Sequence, residues 1–159
     1  DELNVIPADT KKAPHYGYPF IHSAPDGSRI KDPKFGDHPD AQGLAFVDPA
    51  IRVQAHAAVL GMSFYRGEQF PAPFSNALFV AEHGSWNRSK KVGYQVSVAT
   101  FDSAGKPTYQ PFITGWLEGQ KAWGRPNDVL STPDGGLLVS DDKAGVIYRV
   151  SATKPLAAL

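Results

Sequence analysis

Three loops concentrate the side chains with which this chain could do chemistry. Glu82-His-Gly-Ser-Trp-Asn-Arg88 sets His83 and Arg88 among Gly, Ser and Asn, directly after an apolar run. Trp123-Gly-Arg-Pro-Asn-Asp-Val129 holds Arg125 between Gly124 and Pro126, beside an indole on which a guanidinium could stack. Asp141-Asp142 ends another apolar run. Two carboxylates there suit a hard cation such as calcium, and an Asx-type turn is the plainer reading. Binding residues are commonly carried on loops of this kind. A solvated polar loop has the same composition, so both readings stay open for His83, Arg88 and Arg125. Asp37, His38 and Asp40 resemble a metal cluster in sequence, in a stretch that also carries Asp32 and Asp48, and read more simply as surface loop. Lys90-Lys91 reads as a solvated turn, the alternative being that a lysine there pairs with a carboxylate of a ligand. Ser85 has no Asp and His at the spacing of a hydrolase triad.

The bulk properties narrow the class of protein. The 159 residues suffice for a buried core. There are 15 Gly and 14 Pro, an excess that points to many turns. With no Cys, disulfides and zinc–thiolate sites are excluded. Sixteen basic residues balance sixteen acidic ones, which argues against a nucleic-acid or membrane-surface role driven by bulk charge. No apolar run approaches the roughly 20 residues that span a bilayer. Asp1 is not a Met and no signal pattern follows it, so it reads as a processing or truncation point.

The elements that must position the loops read as strands. Residues 1–55 are weakly periodic and rich in turn signals, among them Tyr16-Gly-Tyr-Pro19 and Pro25-Asp-Gly27. A long irregular segment of this kind is usually functional or an insertion. From residue 57 short apolar runs follow one another: Ala57–Tyr65, Ala77–Ala81, Gly93–Phe101, Tyr109–Thr114, Asn127–Ser131, Gly136–Ser140 and Val146–Ser151. Their length and their Val, Phe, Tyr and Leu content predict β-strands, and no stretch predicts a substantial helix. Asp102-Ser-Ala-Gly and Pro133-Asp-Gly-Gly supply turns between them.

There is an internal echo. Leu78-Phe-Val-Ala-Glu before Gly93-Tyr-Gln-Val-Ser-Val is matched by Leu137-Leu-Val-Ser-Asp before Gly145-Val-Ile-Tyr-Arg-Val. A repeat of this length with several strands suggests propeller blades, the alternative being two unrelated hairpins of a sandwich. The expected fold is all-β, of β-propeller type and partial: residues 1–55 as a loop-rich segment, 56–115 as one blade, 116–159 as a second blade and tail. Two blades are too few to close a ring.

Glu82-His-Gly-Ser-Trp-Asn-Arg88, Trp123-Gly-Arg-Pro-Asn-Asp-Val129, Pro133-Asp-Gly-Gly-Leu-Leu-Val-Ser-Asp-Asp142 and Ala144-Gly-Val-Ile-Tyr-Arg-Val150 together resemble the C-terminal part of the glucose/sorbosone dehydrogenase family, closest to its sorbosone-dehydrogenase-like branch. Asp1-Glu-Leu-Asn-Val-Ile and Tyr16-Gly-Tyr-Pro19 resemble a further family segment, with Tyr18 where the family has Trp. The resemblance implies a six-bladed β-propeller and PQQ- and calcium-dependent oxidation of a sugar or aldehyde, in the periplasm or outside the cell. It places Arg125 against the carboxylates of the quinone, with Arg88 and His83 as further cofactor residues. His56 falls near a cofactor-contacting loop, in Gln54-Ala-His56 where the family has Trp-Pro-Thr. Asp1 and Glu2 match positions beside the metal loop.

The family's calcium loop and catalytic His base have no counterpart here, so no catalytic residue is assigned. The expectation is therefore the C-terminal wall of a quinone site, its cationic residues pairing with carboxylates rather than moving protons. The alternative is a non-catalytic partial-propeller module that needs a partner chain. Open strand edges predict an oligomer, or association with the missing propeller portion.

Overall fold

A computed structural model describes residues 1–24 and 26–152. Pro25 of the Pro25-Asp-Gly27 turn and residues 153–159 of the expected tail lie outside the described residues. The chain divides into two compact units, Asp1–Gln54 and a second beginning at Ala55.

The first unit is built from short pairings. Strands β1 (Glu2–Leu3), β2 (Ile21–Ser23), β3 (Arg29–Lys31) and β4 (Ile51–Arg52) form two antiparallel ribbons, β1 with β4 and β2 with β3. Leu3, Ala24, Ile51 and Val53 are its buried apolar residues. Asp48 accepts from Arg29 at 2.9 Å and lies 3.2 Å from Arg52, and His15 meets the ring of Phe46 edge-on at 5.0 Å. Strands of two or three residues are too short to show alternation, so the sequence reads there as loop.

The second unit carries the long strands. β5 (Val59–Phe64), β6 (Leu78–Glu82), β7 (Gln95–Phe101) and β8 (Pro107–Ile113) form a four-stranded antiparallel meander. A two-stranded ribbon follows, β9 (Leu117–Glu118) with β10 (Lys121–Ala122). Then β11 (Pro126–Ser131), β12 (Leu137–Asp141) and β13 (Val146–Val150) make a three-stranded meander. All seven predicted runs are strands. The only helices among the described residues are two single 3-10 turns, Pro39–Ala41 and Ala72–Phe74.

Burial explains the patterns. β6 and β7 are central strands covered on both faces, hence the continuous apolar run Phe79-Val-Ala81 and the run Val96-Ser-Val-Ala99, broken only by the buried Ser97. β12 alternates, with Leu137, Val139 and Asp141 buried. The two sheets share one core of Tyr65, Phe79, Val96, Val98, Leu137 and Val139. Gly61 permits their close approach. A Cβ there would lie 1.8 Å from Asp128 Oδ1 and 2.5 Å from Asp128 Cα.

The predicted turns form with the expected bonds. Asp102 Oδ1 accepts from the amides of Ala104 and Lys106, at 2.9 and 2.8 Å. The turn at Asp134 is tied to Tyr65, 1% exposed, whose hydroxyl donates to Gly135 O and accepts from the amides of Gln69 and Phe70, each at 3.0 Å. Tyr65→Phe strands those groups and is expected to cost about 2 kcal/mol, measurable by urea unfolding. A loss below the error of the extrapolation would show that water replaces the hydroxyl.

Candidate functional site

Three strand ends of the second unit converge. His83, Gly84, Ser85 and Trp86 follow β6; Trp123, Gly124 and Arg125 lie between β10 and β11; Asp142 and Lys143 follow β12. Of these, His83, Ser85, Trp86, Arg125, Asp142 and Lys143 border an open cleft of about 530 Å³. Arg125, Lys91 and Lys143 bring three cations to it, Trp86 and Tyr94 bring rings, and Asp142 brings the carboxylate beside His83.

Arg125 is anchored before any ligand arrives. Its Nε donates to His83 O at 3.0 Å, its Nη2 donates to Gly84 O, and its guanidinium lies 5.5 Å from the centre of the Tyr94 ring. Tyr94 itself is buried, and its hydroxyl donates to Ser85 O. The aromatic partner is thus Tyr94 rather than Trp123, whose Nε1 donates to Gly115 O at 2.8 Å. Nη1 and the second Nη2 hydrogen have no hydrogen-bond partner among the described residues. An arginine already fixed by its neighbours loses less side-chain entropy when it binds an anion.

Asp141 is the turn carboxylate, not an exposed cation ligand. It is 2% exposed, and its Oδ1 accepts from the amides of Arg125, Lys143 and Ala144 at 2.9, 3.1 and 2.9 Å. Tyr148 donates to Oδ2 at 3.2 Å. The first of these bonds fixes the backbone of Arg125. Gly124 makes room for it: a Cβ there would fall 2.1 Å from Asp141 Oδ2 and 2.3 Å from Trp116 Cδ1.

Asp142 pairs with His83, Oδ1 to Nε2, at 2.8 Å. The His83 hydrogen bond, with a smaller contribution from the charges of His83 and Arg125, holds this carboxyl below the usual Asp range. A carboxyl depressed by folding stabilises the folded state above its unfolded pKa and loses that contribution as pH falls through the folded one. His83→Phe should therefore return the Asp142 carboxyl toward the ordinary range, as followed by the NMR titration of its carboxyl carbon. An unmoved midpoint would assign the depression to other groups.

The remaining expected residues are not among those that line this cleft. Arg88 donates from Nη1 to Ala55 O at 2.9 Å and does not line the cleft. His56 is exposed, with φ of 69°, and does not line it either. Asp1 and Glu2 belong to the first unit. Val53 N donates to Asp1 O at 2.8 Å, and Asn4 Nδ2 donates to Glu2 Oε1 at 3.2 Å. Asp37 is paired with Lys31, and His38 Nδ1 lies 3.5 Å from Asp40. Among the described residues, no group of three or more His, Cys, Asp or Glu could hold a metal ion. Lys143 and Tyr94 carry no sequence signal of a site. Lys91 reads as a solvated turn, yet its ammonium lies 6.0 Å from the Tyr94 ring and it lines the cleft.

Comparison with known proteins gives a consistent picture. The model of the TrAA12-like family matches residues 1–153. An uncharacterized protein of Borreliella burgdorferi is 39% identical over 154 residues, a match covering 94% of this chain and 38% of that protein. The holo form of the pyranose dehydrogenase PQQ domain from Coprinopsis cinerea superposes with a TM-score of 0.68 at 25% identity, over 89% of this chain and 41% of that one. The iodide structure of the Trichoderma reesei enzyme of Carbohydrate-Active Enzymes family AA12 has a TM-score of 0.70 at 22% identity, over 88% of this chain and 39% of that one, a likeness of fold. The chain spans about two fifths of the length of these relatives.

Proposed function

We propose that this chain, which belongs to the TrAA12-like family, supplies the cationic wall of a PQQ site in an oxidoreductase acting on sugars or aldehydes. The observation that carries the reading is the cleft in which a pre-anchored Arg125 stands with Lys91 and Lys143. Three cations against one carboxylate, Asp142, favour an anionic ligand. PQQ bears three carboxylates on a planar ring system, and the exposed indole of Trp86 adds an aromatic face. The Coprinopsis cinerea neighbour is a PQQ domain in holo form, which supports the choice of cofactor.

When bound, PQQ supplies an ortho-quinone that takes up two electrons from a hydroxyl-bearing carbon. The residues of this chain bind and orient. Arg125 pairs with a carboxylate through its remaining hydrogens, Lys91 and Lys143 neutralise further charge, and Asp142 fixes the ring of His83. No residue is assigned as base. A calcium-bound Trichoderma reesei AA12 structure is among the neighbours, but the residues described here do not fit a calcium site. Calcium takes six to eight oxygens, and Asp1 and Glu2 are only two carboxylates. Arg88 and His56, bound elsewhere or exposed, rank below Arg125 and His83 as cofactor residues.

The finer identity extends the same reading. The two meanders are taken as blades of a β-propeller, the substrate branch as sorbosone-dehydrogenase-like, and the location as periplasmic or extracellular. A second reading, a module that binds a partner chain, is favoured by Leu60, Met62, Phe64 and Phe101. These expose apolar surface on one face of the four-stranded sheet.

Titration of the chain with PQQ, followed by Trp fluorescence and by calorimetry, tests the cofactor reading. Saturable binding that weakens with salt is expected. No binding would overturn it and favour the partner module, which predicts self-association or capture of further propeller sheet by light scattering.

A further inference from the structure

Glu82 is a buried carboxylate for which the cofactor cleft has no direct use. It is 3% exposed and ends β6, immediately before His83 and Gly84. Its Oε1 accepts from Ser97 Oγ at 2.6 Å and from the Tyr109 hydroxyl at 2.8 Å. Its Oε2 accepts from Gln95 Nε2 at 3.1 Å, and that same amide donates to Ser97 Oγ at 3.0 Å. The donors come from β7 and β8, and no cation stands among these partners. Burying a carboxylate without a cation is costly unless its hydrogen bonds are complete. Here three donors meet it: two hydroxyls and an amide tie the end of one strand to the next two.

What this cross-tie holds is the support of Arg125. The two carbonyls that accept from the guanidinium belong to His83 and Gly84, the residues directly after Glu82. Glu82 O accepts from Tyr94 N at 2.9 Å, and the Tyr94 ring lies under the same guanidinium. All three groups that hold the Arg125 guanidinium are therefore tied to the strand end at residue 82. We propose that Glu82 is a positioning residue for Arg125, holding the strand end whose carbonyls and aromatic neighbour aim the guanidinium into the cleft. Burial, then the neighbouring Glu82 charge, push the Tyr109 phenol well above its ordinary range, so it remains a donor.

The affinity part of this inference rests on the PQQ reading; the positioning part does not. The tests therefore use two readouts on the full chain. One is solvent exchange of the Arg125 Nε hydrogen by NMR, which needs no ligand. The other is PQQ affinity.

Glu82→Gln keeps the side-chain shape and turns one acceptor into a donor facing hydroxyls or the Gln95 amide. It is expected to speed Nε exchange and to weaken PQQ binding by about tenfold, the usual scale for residues that support a binding group. In an Arg125→Ala background the same change should cost no further affinity, the non-additivity of residues acting through one another. Tyr109→Phe and Ser97→Ala, which each remove one donor and leave the charge, should show the same signature more weakly. They decide the matter if Glu82→Gln does not fold. Unchanged exchange in folded variants, or losses that add to that of Arg125→Ala, would overturn the proposal. A wild-type chain that fails to bind PQQ would sink the cofactor reading alone, leaving exchange to decide Glu82.

Discussion

Arg125→Ala is expected to weaken PQQ binding by about a hundredfold. Charge-assisted hydrogen bonds contribute roughly 1.5–3 kcal/mol each, and about 2.8 kcal/mol corresponds to a factor of one hundred. The loss is concentrated here because Arg125 is fixed before the ligand arrives, by His83 O, Gly84 O and the Tyr94 ring. Lys91 and Lys143 lack such support. The Nζ of Lys143 donates to Ala122 O at 2.6 Å, and Lys91 has one ring contact. Arg125→Lys should recover little, since an ammonium cannot hold two carbonyls and a carboxylate in the geometry of a planar fork. Calorimetric titration with PQQ measures both variants. Wild-type affinity in Arg125→Ala would remove this cleft from the cofactor site.

Asp141→Ala should be the most damaging substitution for stability. The carboxylate is buried, and three backbone amides and a phenol depend on it. Unsatisfied buried donors cost about 1–3 kcal/mol each, and solvent will reach some of them, so a loss of about 4 kcal/mol is expected. That corresponds to a fall in Tm of roughly 10 °C in a protein of this size. Asp141→Asn keeps an acceptor for the amides and should cost about half as much, chiefly at Tyr148. Thermal and urea unfolding of the two variants make the comparison. Equal, small losses would mean that the turn at residues 141–145 holds by itself. Because the Arg125 amide is one of the three donors, the Ala variant should also bind PQQ more weakly at temperatures where it remains folded.

Much of the fold was legible because it rests on local rules. The seven long strands follow from apolar runs bounded by Gly, Pro and Asp, and Asp102 and Asp134 close turns by the bonds their side chains favour. The short strands of the first unit were not legible, since two residues cannot display a period. Within the site, His83 and Arg125 stood out because His and Arg are conspicuous among Gly, Ser and Pro. Lys143, Tyr94 and Glu82 did not. A lysine after an Asp pair, a tyrosine opening a strand and a glutamate ending one are ordinary where they stand. Arg88 was conspicuous for the same reason as Arg125, and its guanidinium goes to Ala55 O instead.

Strand formation, the turns and the location of the polar loops were thus determined by the sequence itself, through propensity and burial pattern acting over five to nine residues. Which loops meet was decided only in three dimensions. His83, Arg125 and Asp142 are well separated in the chain, and they come together because β6 and β12 end, and β11 begins, at the same rim of two packed sheets. The tertiary structure also separated the two adjacent acids, burying Asp141 in its turn and leaving Asp142 beside His83. The physical reason is range: hydrophobic periodicity is written along the chain, whereas hydrogen bonds and charge pairs between strand ends exist only once the sheets have packed.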